Sequence, residues 1–443
     1  MIKEAILNAI KIPDLKKKFI FTLTMIFIYR LGAHIPTPGV DPIALKSLAG
    51  TMAGGLLGFA NMFTGGALFE FSIFSLGIMP YISASIILQL LAVVIPQLEA
   101  LMKEGEYGRR KITQYTRYGT IVLSMIQAIG WSIYVSNQVG ATGPVVPEKT
   151  FMFYLVAVVT MTCGTTFLMW MGEQITERGI GNGISLLIFV GIISRFPQAL
   201  YETYRIFTMG ELGLFSLIAI GALFTFITAA SVVITEGHRK IPIQYAKRII
   251  GRKVYGGAGT SLPLRVNSAG VMPVIFASSF LMFPMSMMAM FSRDYTANKF
   301  LAWIALHMGY GSVFWFVAYS VLIILFAYFY TAIQFNPKDV ADNLKKHGGF
   351  IPGIRPGKTT AQYIDFILTR ITLAGAIFLA LISILPDFLV IYLKLPSRLT
   401  NIFGGTSILI IVGVALDTMR QIESHLLMRH YDGFVKRGRI RGR

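Results

Sequence analysis

Long apolar stretches alternate with short polar ones along the whole chain. Ten of them come close to the roughly 20 mostly apolar residues that a helix needs to cross a bilayer. They cover residues 19–36, 72–95, 118–138, 153–172, 180–200, 214–235, 270–291, 312–334, 371–393 and 402–419. Continuous apolar stretches of this length are typical of membrane helices. The pattern therefore predicts an all-α membrane protein with ten transmembrane helices.

Composition agrees with the membrane interpretation and excludes two other classes of protein. Of the 443 residues, 54% are apolar and only 14% are charged, and the mean hydropathy is +0.64. A soluble protein carries about 25% charged residues, and a disordered one is low in hydrophobicity. The single cysteine, Cys163, lies in an apolar stretch and excludes a disulfide framework.

The net charge of +19 is concentrated in alternate loops. Of the 40 Lys and Arg residues, 31 fall in the N-terminal segment, in alternate loops and in the C-terminal tail, which all lie on one side if there are ten spans. Because basic loops stay on the cytoplasmic side, we expect both termini in the cytoplasm.

The spans and loops divide the chain into segments. Two cytoplasmic loops, 236–268 and 335–370, exceed 30 residues, and loops of this length are often functional. They are interpreted either as a basic docking surface or as solvated loops that only fix topology. The other predicted segments are a cytoplasmic N-terminus at 1–18, a first five-span half at 19–200, span 6 at 201–235, spans 7–8 at 270–334, spans 9–10 at 371–419, and a basic tail at 420–443.

Weak internal similarity relates the first five spans to the last five. Residues 77–85 match residues 270–278 at six of nine positions, and residues 183–188 match 405–410 at four of six. Both matches join span n to span n + 5. An odd number of spans per repeat inverts the second half relative to the first, and functional centres lie between such repeats.

The repeated segments contain isoleucines at helical spacing. Ile78 and Ile82 share one helical face, as do Ile184 and Ile188, and repeat symmetry adds Ile275 and Ile410. Periodicity alone is equally satisfied by ordinary packing or lipid contact. Pro80 is expected to interrupt span 2, and Pro273 lies near the start of span 7.

A glycine-rich segment at about 54–70 precedes the second span. It contains five glycines among Leu, Phe and Met and is too short to cross a bilayer. Non-helical backbone at membrane depth survives only inside protein or beside a water-filled cavity. We therefore expect a re-entrant segment beside a cavity.

Motifs for chemistry are not found in the sequence. There is no GxxxxGK[ST] phosphate loop, HExxH pair or GxSxG turn, so neither an enzyme nor a cofactor is expected. Asp387, Asp417 and Glu70 fall near span ends, whereas ion coupling uses carboxylates at membrane depth. The chain therefore shows neither an ATP-hydrolysing site nor an obvious ion relay, so the energy for any transport would come from elsewhere.

Several long motifs resemble the SecY family, the large subunits of bacterial protein-conducting channels, over essentially the whole chain. They include KEGEYGRRKITQYTRYGT at 103–120, GEQITERGIGNGIS at 172–185 and NPKDVADNLKKHGGFIPGIRPG at 336–357. Further similar stretches lie at 61–68, 77–91, 262–279 and 403–407.

The resemblance implies an hourglass pore between two inverted five-helix halves. Its constriction would be a ring of six apolar side chains: Ile78, Ile82, Ile184, Ile188, Ile275 and Ile410. A plug would close the outer funnel, with the candidate residues Gly54, Phe59, Asn61, Phe63, Gly65 and Gly66. A lateral gate between spans 2–3 and 7–8 would include Ser83, Gln89, Asn267 and Phe283.

The resemblance favours a partner-driven channel subunit in the cell's inner or plasma membrane, and an ion-coupled secondary transporter and a membrane-embedded enzyme are the alternatives. The resemblance also implies partners. Unfolded secretory polypeptides and signal sequences would be substrates, and membrane segments would leave sideways into lipid. Small SecE and SecG subunits, the SecA motor ATPase and the ribosome, with ribosomal RNA as a plausible contact, would be the protein partners. The docking residues implied are Arg252, Lys253, Lys345, Lys346 and Arg355.

Overall fold

The structure is a computed structural model of the chain. It describes residues 12–52, 56–140, 143–210, 213–245, 248–250, 253–255, 260–291, 312–392 and 404–437. The N-terminal residues before Ile12, the predicted plug residue Gly54 and the predicted docking residue Arg252 lie outside this range.

Helices account for most of the described residues. They are α1 Pro13–Ala33, α2 Pro42–Met52, α3 Leu56–Phe63, α4 Met79–Val94, α5 Pro96–Lys103, α6 Glu106–Ser136, α7 Phe151–Arg178, α8 Gly183–Ile193, α9 Phe196–Thr208, α10 Leu214–Glu236, α11 Met272–Phe291, α12 Val313–Gln334, α13 Pro337–Lys346, α14 Lys358–Tyr392 and α15 Gly405–Arg437.

Each of the ten predicted spans overlaps one of these helices. Within the described ranges, seven helical segments are long and apolar enough to cross a membrane, in α6, α7, α8–α9, α10, α12–α13, α14 and α15. The pair α4–α5 passes the same test together but bends by 101°. The helices α1 and α11, with 21 and 20 residues, overlap the remaining two predicted spans but are not among the described segments that are long and apolar enough to cross a membrane. The protein is therefore a mostly helical, multi-pass membrane protein.

Several helix boundaries differ from the predicted spans. The helices α6 and α14 begin at Glu106 and Lys358, well before the apolar stretches at 118 and 371. Hydropathy detects only the part of a helix that meets lipid, so polar extensions are missed. The helix α4 begins at Met79 rather than at residue 72, because Gly77 has a φ of +57° and the chain before it forms turns.

The expected interruption of span 2 at Pro80 was wrong. Pro80 is the second residue of α4, and Pro273 is the second residue of α11. Proline is tolerated in a first helical turn because the N–H that it lacks has no partner there. Both prolines therefore start a helix rather than break one.

The expectation of an all-α fold was incomplete, because strands occur in the two long basic loops and in the segment between α6 and α7. The strands are β1 Val139–Gly140, β2 Gly143–Pro144, β3 His238–Tyr245, β4 Arg248–Ile250, β5 Lys253–Tyr255, β6 Thr260–Arg265 and β7 Gly349–Phe350. The antiparallel order β6-β3-β7 joins the loop 236–268 to the loop 335–370. The β1-β2 and β4-β5 pairs form hairpins.

A small apolar core holds the two loops together. Ile241 and Ile243 alternate with exposed residues along β3 and are buried, and Ile241 packs with Leu264 of β6 and Ile351 after β7. The alternation is the ordinary signal of a strand with one buried face. The two basic loops are therefore one folded unit.

The first and last membrane helices meet at the turn between α7 and α8. Ile180 N–H donates to Thr22 Oγ1 of α1 at 3.1 Å, and Gly181 N–H donates to Gln421 Oε1 of α15. Ile180 also packs with Leu15 of α1 in a small apolar cluster. This turn therefore ties together two ends of the chain that are about 400 residues apart in sequence.

Candidate functional site

The six isoleucines of the repeated segments all belong to, or pack against, one large buried apolar cluster, which is called the isoleucine cluster below and also contains side chains of other helices. Five of them are at most 5% exposed: Ile78, Ile82, Ile188, Ile275 and Ile410. The sixth, Ile184, is partly buried and packs against the same cluster. One apolar cluster thus contains side chains from α4, α8, α11 and α15 and from Ile78, the residue just before α4, and these positions are up to 332 residues apart in sequence.

These isoleucines occupy matching positions in the paired helices. Ile82 and Ile275 are each the fourth residue of their helix, because α4 begins at Met79 and α11 at Met272. Ile188 and Ile410 are each the sixth residue, counted from Gly183 and Gly405. The sequence repeat therefore has a counterpart in local structure.

The backbone around the repeated segments also matches. A glycine with positive φ stands two residues before α4 and before α11, with φ of +57° at Gly77 and +63° at Gly270. The first residues of α8 and α15 touch a preceding helix. A Cβ on Gly183 would lie 2.0 Å from the Gly172 carbonyl oxygen, and one on Gly405 would lie 1.8 Å from that of Ile382.

The glycine-rich segment packs against the isoleucine cluster. It contains α3 and a turn in which Gly65 and Gly66 have φ of +67° and +102°. Met62 and Phe63 belong to the cluster, and Ser407 Oγ lies 2.9 Å from Met62 Sδ. The side chain of Phe59 lies outside the described residues although its backbone is part of α3.

Polar side chains inside the segment fix its turn. The buried Asn61 accepts a hydrogen bond from Phe69 N–H at 3.1 Å through Oδ1. The Thr64 hydroxyl donates to the Asn61 carbonyl at 3.1 Å and accepts from Leu68 N–H at 3.2 Å. A buried turn must satisfy its backbone groups in this way because no water reaches them. Side-chain hydrogen bonds therefore hold the backbone of this turn in one defined conformation.

The helices predicted to form a gate are in contact. The helix α11 packs against α4 and α6, which correspond to spans 2 and 3, and also against α12. Ser83 and Gln89 lie on α4, where Gln89 Nε2 donates to Ser85 Oγ at 3.0 Å. Phe283 lies on α11, but its side chain is outside the described residues.

Asn267 is not on a gate helix, and it lines a polar cavity instead. Asn267 lies in the turn before α11 and donates to the Gly270 carbonyl at 3.1 Å. The cavity has a volume of about 190 Å³ and is also lined by Asn182, Arg265, Asp417 and Arg420. Sequence reasoning did not place these four residues together because they come from three separate segments of the chain.

Two charged groups that line this cavity, Arg420 and Asp417, are paired with each other. Arg420 donates to Glu236 Oε1 at 2.7 Å and to the Thr235 carbonyl at 3.0 Å, and it lies 3.5 Å from Asp417. Asp417 therefore pairs with an arginine on its own helix. Within the part of the chain that the structure describes, no three His, Cys, Asp or Glu side chains are grouped so that they could hold a metal ion.

Three of the five predicted docking residues are exposed at the folded basic loops. Lys345 and Lys346 end α13, and Arg355 follows β7, with its carbonyl accepting a hydrogen bond from Thr360 Oγ1 at 2.8 Å. Lys253 lies in β5, and its side chain is outside the described residues. The β3-β7 pairing holds the two basic loops side by side.

Comparison with known proteins identifies the family. The SecY family model matches residues 72–419. The chain belongs to the SecY family. A protein translocase subunit SecY from Pseudomonas aeruginosa is 47% identical over 448 residues, covering 100% of this chain and 98% of the relative. A SecY subunit from Escherichia coli is 46% identical and covers 97% and 96%.

Solved structures show the same fold at low sequence identity. A protein-conducting channel aligns with a TM-score of 0.64 at 16% identity and covers 92% of both chains. A structure of a SecY protein that was described for the role of its plug domain aligns with a TM-score of 0.62 at 17% identity. The Sec61 channel bound to a canine ribosome gives 0.60 at 15% identity. The plug-domain structure and the Sec61 structure each cover 92% of this chain and 92% of their own chain.

Proposed function

We propose that this chain is the central subunit of a protein translocation channel, through which unfolded secretory polypeptides cross the membrane. The observation that carries this proposal is that all six isoleucines, from α4 and the residue before it, α8, α11 and α15, belong to or pack against one buried apolar cluster. An apolar constriction resists ion flow by dewetting. Aliphatic side chains also present no specific polar ligand, so they suit a passage for chains of many sequences. SecY relatives and channel structures support this function, and they give no support to the transporter alternative.

Ten spans in two inverted halves around an hourglass pore form the architecture of this proposal. The matching positions of Ile82 with Ile275 and of Ile188 with Ile410 support it. In this arrangement the six isoleucines Ile78, Ile82, Ile184, Ile188, Ile275 and Ile410 are the ring at the waist.

The glycine-rich segment is proposed to be the plug. Its support is the packing of Met62 and Phe63 into the isoleucine cluster and the contact of Met62 with Ser407 of α15. For one of the similar structures, the plug domain is described as stabilising the closed state of the channel and maintaining a membrane seal. Asn61, Gly65 and Gly66 shape the turn that follows α3.

The contact of α11 with α4 and α6 is proposed to be the lateral gate through which signal sequences and membrane segments reach lipid. Separating α11 from these two helices would open the bundle on one side. Ser83 and Gln89 on α4 and Phe283 on α11 are the gate residues. Asn267 is placed at the cavity before α11, where it would sense movement of that helix.

Energy is proposed to come from partners at the basic loops. The neighbours include Sec61 and Ssh1 channels bound to ribosomes. Arg252, Lys253, Lys345, Lys346 and Arg355 would contact the ribosome or the SecA motor, and SecE and SecG would complete the complex. The proposed location is the cell's inner or plasma membrane, with both termini in the cytoplasm, and the concentration of Lys and Arg in alternate loops supports this orientation.

A crosslinking experiment tests the proposed pore. With Cys163 replaced by serine, Ile188→Cys is expected to form a crosslink to a secretory chain stalled during export. Ile193→Cys on the same helix is the matched control, because Ile193 is 40% exposed whereas Ile188 is 2% exposed. Crosslinks at Ile188 and not at Ile193 support a path through the isoleucine cluster.

The opposite crosslinking pattern would contradict the proposed pore. A properly engaged chain that repeatedly crosslinks at Ile193 and not at Ile188 would place the polypeptide on the lipid-facing side of α8. The isoleucine cluster would then be only a packing core. Uptake of a small solute by the purified protein alone would favour the transporter.

A further inference from the structure

The end of α1 holds the glycine-rich turn through two consecutive side chains. Tyr29 Oη donates to the Thr64 carbonyl at 3.3 Å, and Arg30 Nη1 donates to the Gly65 carbonyl at 3.2 Å. Two neighbouring donors of one helix thus bind two neighbouring carbonyls of one turn.

A third link lies one helical turn further on. His34 Nδ1 is 2.8 Å from Glu70 Oε2, and His34 Nε2 is 3.2 Å from Arg30 Nη2. A guanidinium can only donate hydrogen bonds, so Nε2 must accept and Nδ1 carries the proton that is donated to Glu70. His34 therefore connects Arg30 to the far end of the glycine-rich turn.

The turn at Gly65 and Gly66 packs closely against α1, α8 and Arg195. A Cβ on Gly65 would lie 2.8 Å from Arg30 Nη1 and 2.9 Å from Gly191 Cα of α8. A Cβ on Gly66 would lie 3.5 Å from Arg195 Nε, so a second guanidinium flanks the turn. The turn is thus held between the ends of α1 and α8 by contacts to its backbone.

We propose that Tyr29, Arg30 and His34 form a latch that keeps the glycine-rich segment seated against the isoleucine cluster. They are positioning residues for the closed channel, and polypeptide passage requires their hydrogen bonds to the turn to break. This inference rests on the proposed role of the segment as the plug.

The three links differ in strength. Arg30 makes a charge-assisted hydrogen bond to a carbonyl, which is stronger than a neutral one. Tyr29 is 3% exposed, so losing its hydroxyl leaves a buried carbonyl less well satisfied. The His34 and Glu70 side chains are 58% and 37% exposed, and exposed pairs contribute little. Arg30 is therefore the main residue of the latch, followed by Tyr29 and then by His34.

The test uses the channel complex purified from membranes and reconstituted into liposomes, with Cys163→Ser throughout. Resting ion efflux without a translocating chain reports the seal. The rate of disulfide formation between Met62→Cys and Ser407→Cys reports the seated segment, because these two side chains are in contact. Thermal stability is measured on every variant to detect misfolding.

Arg30→Leu is expected to raise resting efflux by about tenfold or more and to slow the disulfide, as the loss of a charge-assisted hydrogen bond implies. Tyr29→Phe, which keeps the ring, is expected to raise efflux by about two- to tenfold. His34→Leu is expected to raise it by no more than about fivefold, and His34→Gln to restore the seal. Arg30→Lys keeps the charge and should lie between Arg30→Leu and the parent.

Arg205→Leu is the matched control, because Arg205 is exposed on α9, away from the glycine-rich turn. Its efflux and disulfide rate should equal those of the parent. Equal values for Arg30→Leu and the parent would overturn the latch. If the closed Met62–Ser407 disulfide leaves polypeptide passage unimpaired, the segment is not the plug and both proposals fail. If that disulfide blocks passage while Arg30→Leu behaves as the parent, only the latch fails.

Discussion

At the scale of the residue, Gly183 and Gly405 allow two helices to begin directly against the backbone of a neighbour. Their missing side chains leave room for the carbonyls of Gly172 and Ile382. A methyl group at either position would overlap backbone atoms, which cannot rotate away as a side chain can. These glycines therefore set how closely α8 and α15 approach the preceding helices.

Gly405→Ala is expected to lower the free energy of unfolding by about 1–3 kcal/mol, the usual cost of overpacking. The melting temperature in detergent measures the loss. Gly221→Ala in α10 is the control, because a Cβ there meets nothing within 4 Å. Alanine is about 1 kcal/mol better than glycine in a helix interior, so the control should be no less stable. A stable Gly405→Ala variant would contradict the close approach.

Ile188→Asn is expected to raise the resting ion leak of the channel. An amide at this buried position attracts water into the apolar constriction, and dewetting is then lost. Burial without a partner also costs about 1–3 kcal/mol of stability. Ile193→Asn, on the exposed side of the same helix, is the control for helix damage. Conductance across a planar bilayer measures the ion leak of both variants. An equal leak for Ile188→Asn and Ile193→Asn would show that Ile188 is not part of the seal.

At the scale of the element, the two long basic loops are joined through β3. The pairs Gln244–Phe350 and Tyr245–Gly349 bring together segments about 100 residues apart in sequence. The side chains of Ile241, Leu264 and Ile351 pack together in the small apolar core of this unit. Because β3 belongs to both the β6 and the β7 pairing, displacement of one loop must move the other.

Ile241→Ala is expected to weaken this unit by about 2–5 kcal/mol, the range for large-to-small changes in a core. Amide hydrogen exchange should become faster in both β3 and β7. Gln244→Ala is the control, because Gln244 is exposed on the same strand and its side chain is not part of the core. Faster exchange in β3 alone would show that the two loops move independently.

The sequence predicted the helices well and the strands poorly, for physical reasons. A membrane helix needs an apolar surface along its whole length, so hydropathy detects it. The strand β3 buries only Ile241 and Ile243 among polar residues, and its partners are distant in sequence. The start of α4 was missed because the turns before it are buried and apolar, so hydropathy did not separate them from the helix.

At the scale of the whole molecule, the candidate site could be predicted from the sequence where its residues lie in the repeated segments. The isoleucine cluster could be inferred because two pairs of segments share a pattern, and family resemblance completed it. The polar cavity could not, because Asn182, Arg265 and Arg420 come from separate segments with no repeat to relate them. The contact of Arg30 with Gly65 depends on a tertiary turn that no local pattern encodes.

Arg355→Glu is expected to impair partner-driven export severalfold while the protein still inserts. Reversing an exposed charge at a docking surface weakens attraction and slows encounter. Arg110→Glu is the control, since Arg110 is 84% exposed in another predicted cytoplasmic loop. Export measured at rising salt should converge for the parent and the variant. Normal export by Arg355→Glu would remove Arg355 from the docking surface.

The placement of the isoleucines near helix starts has an electrostatic consequence. The helices α4, α8, α11 and α15 all begin within about two turns of the cluster. Each helix start carries roughly half a positive charge, from N–H groups that have no partner within the helix. The proposed waist of the pore is therefore surrounded by positive potential. Even when a few water molecules enter, cations meet a barrier that anions do not, so residual leakage should favour anions.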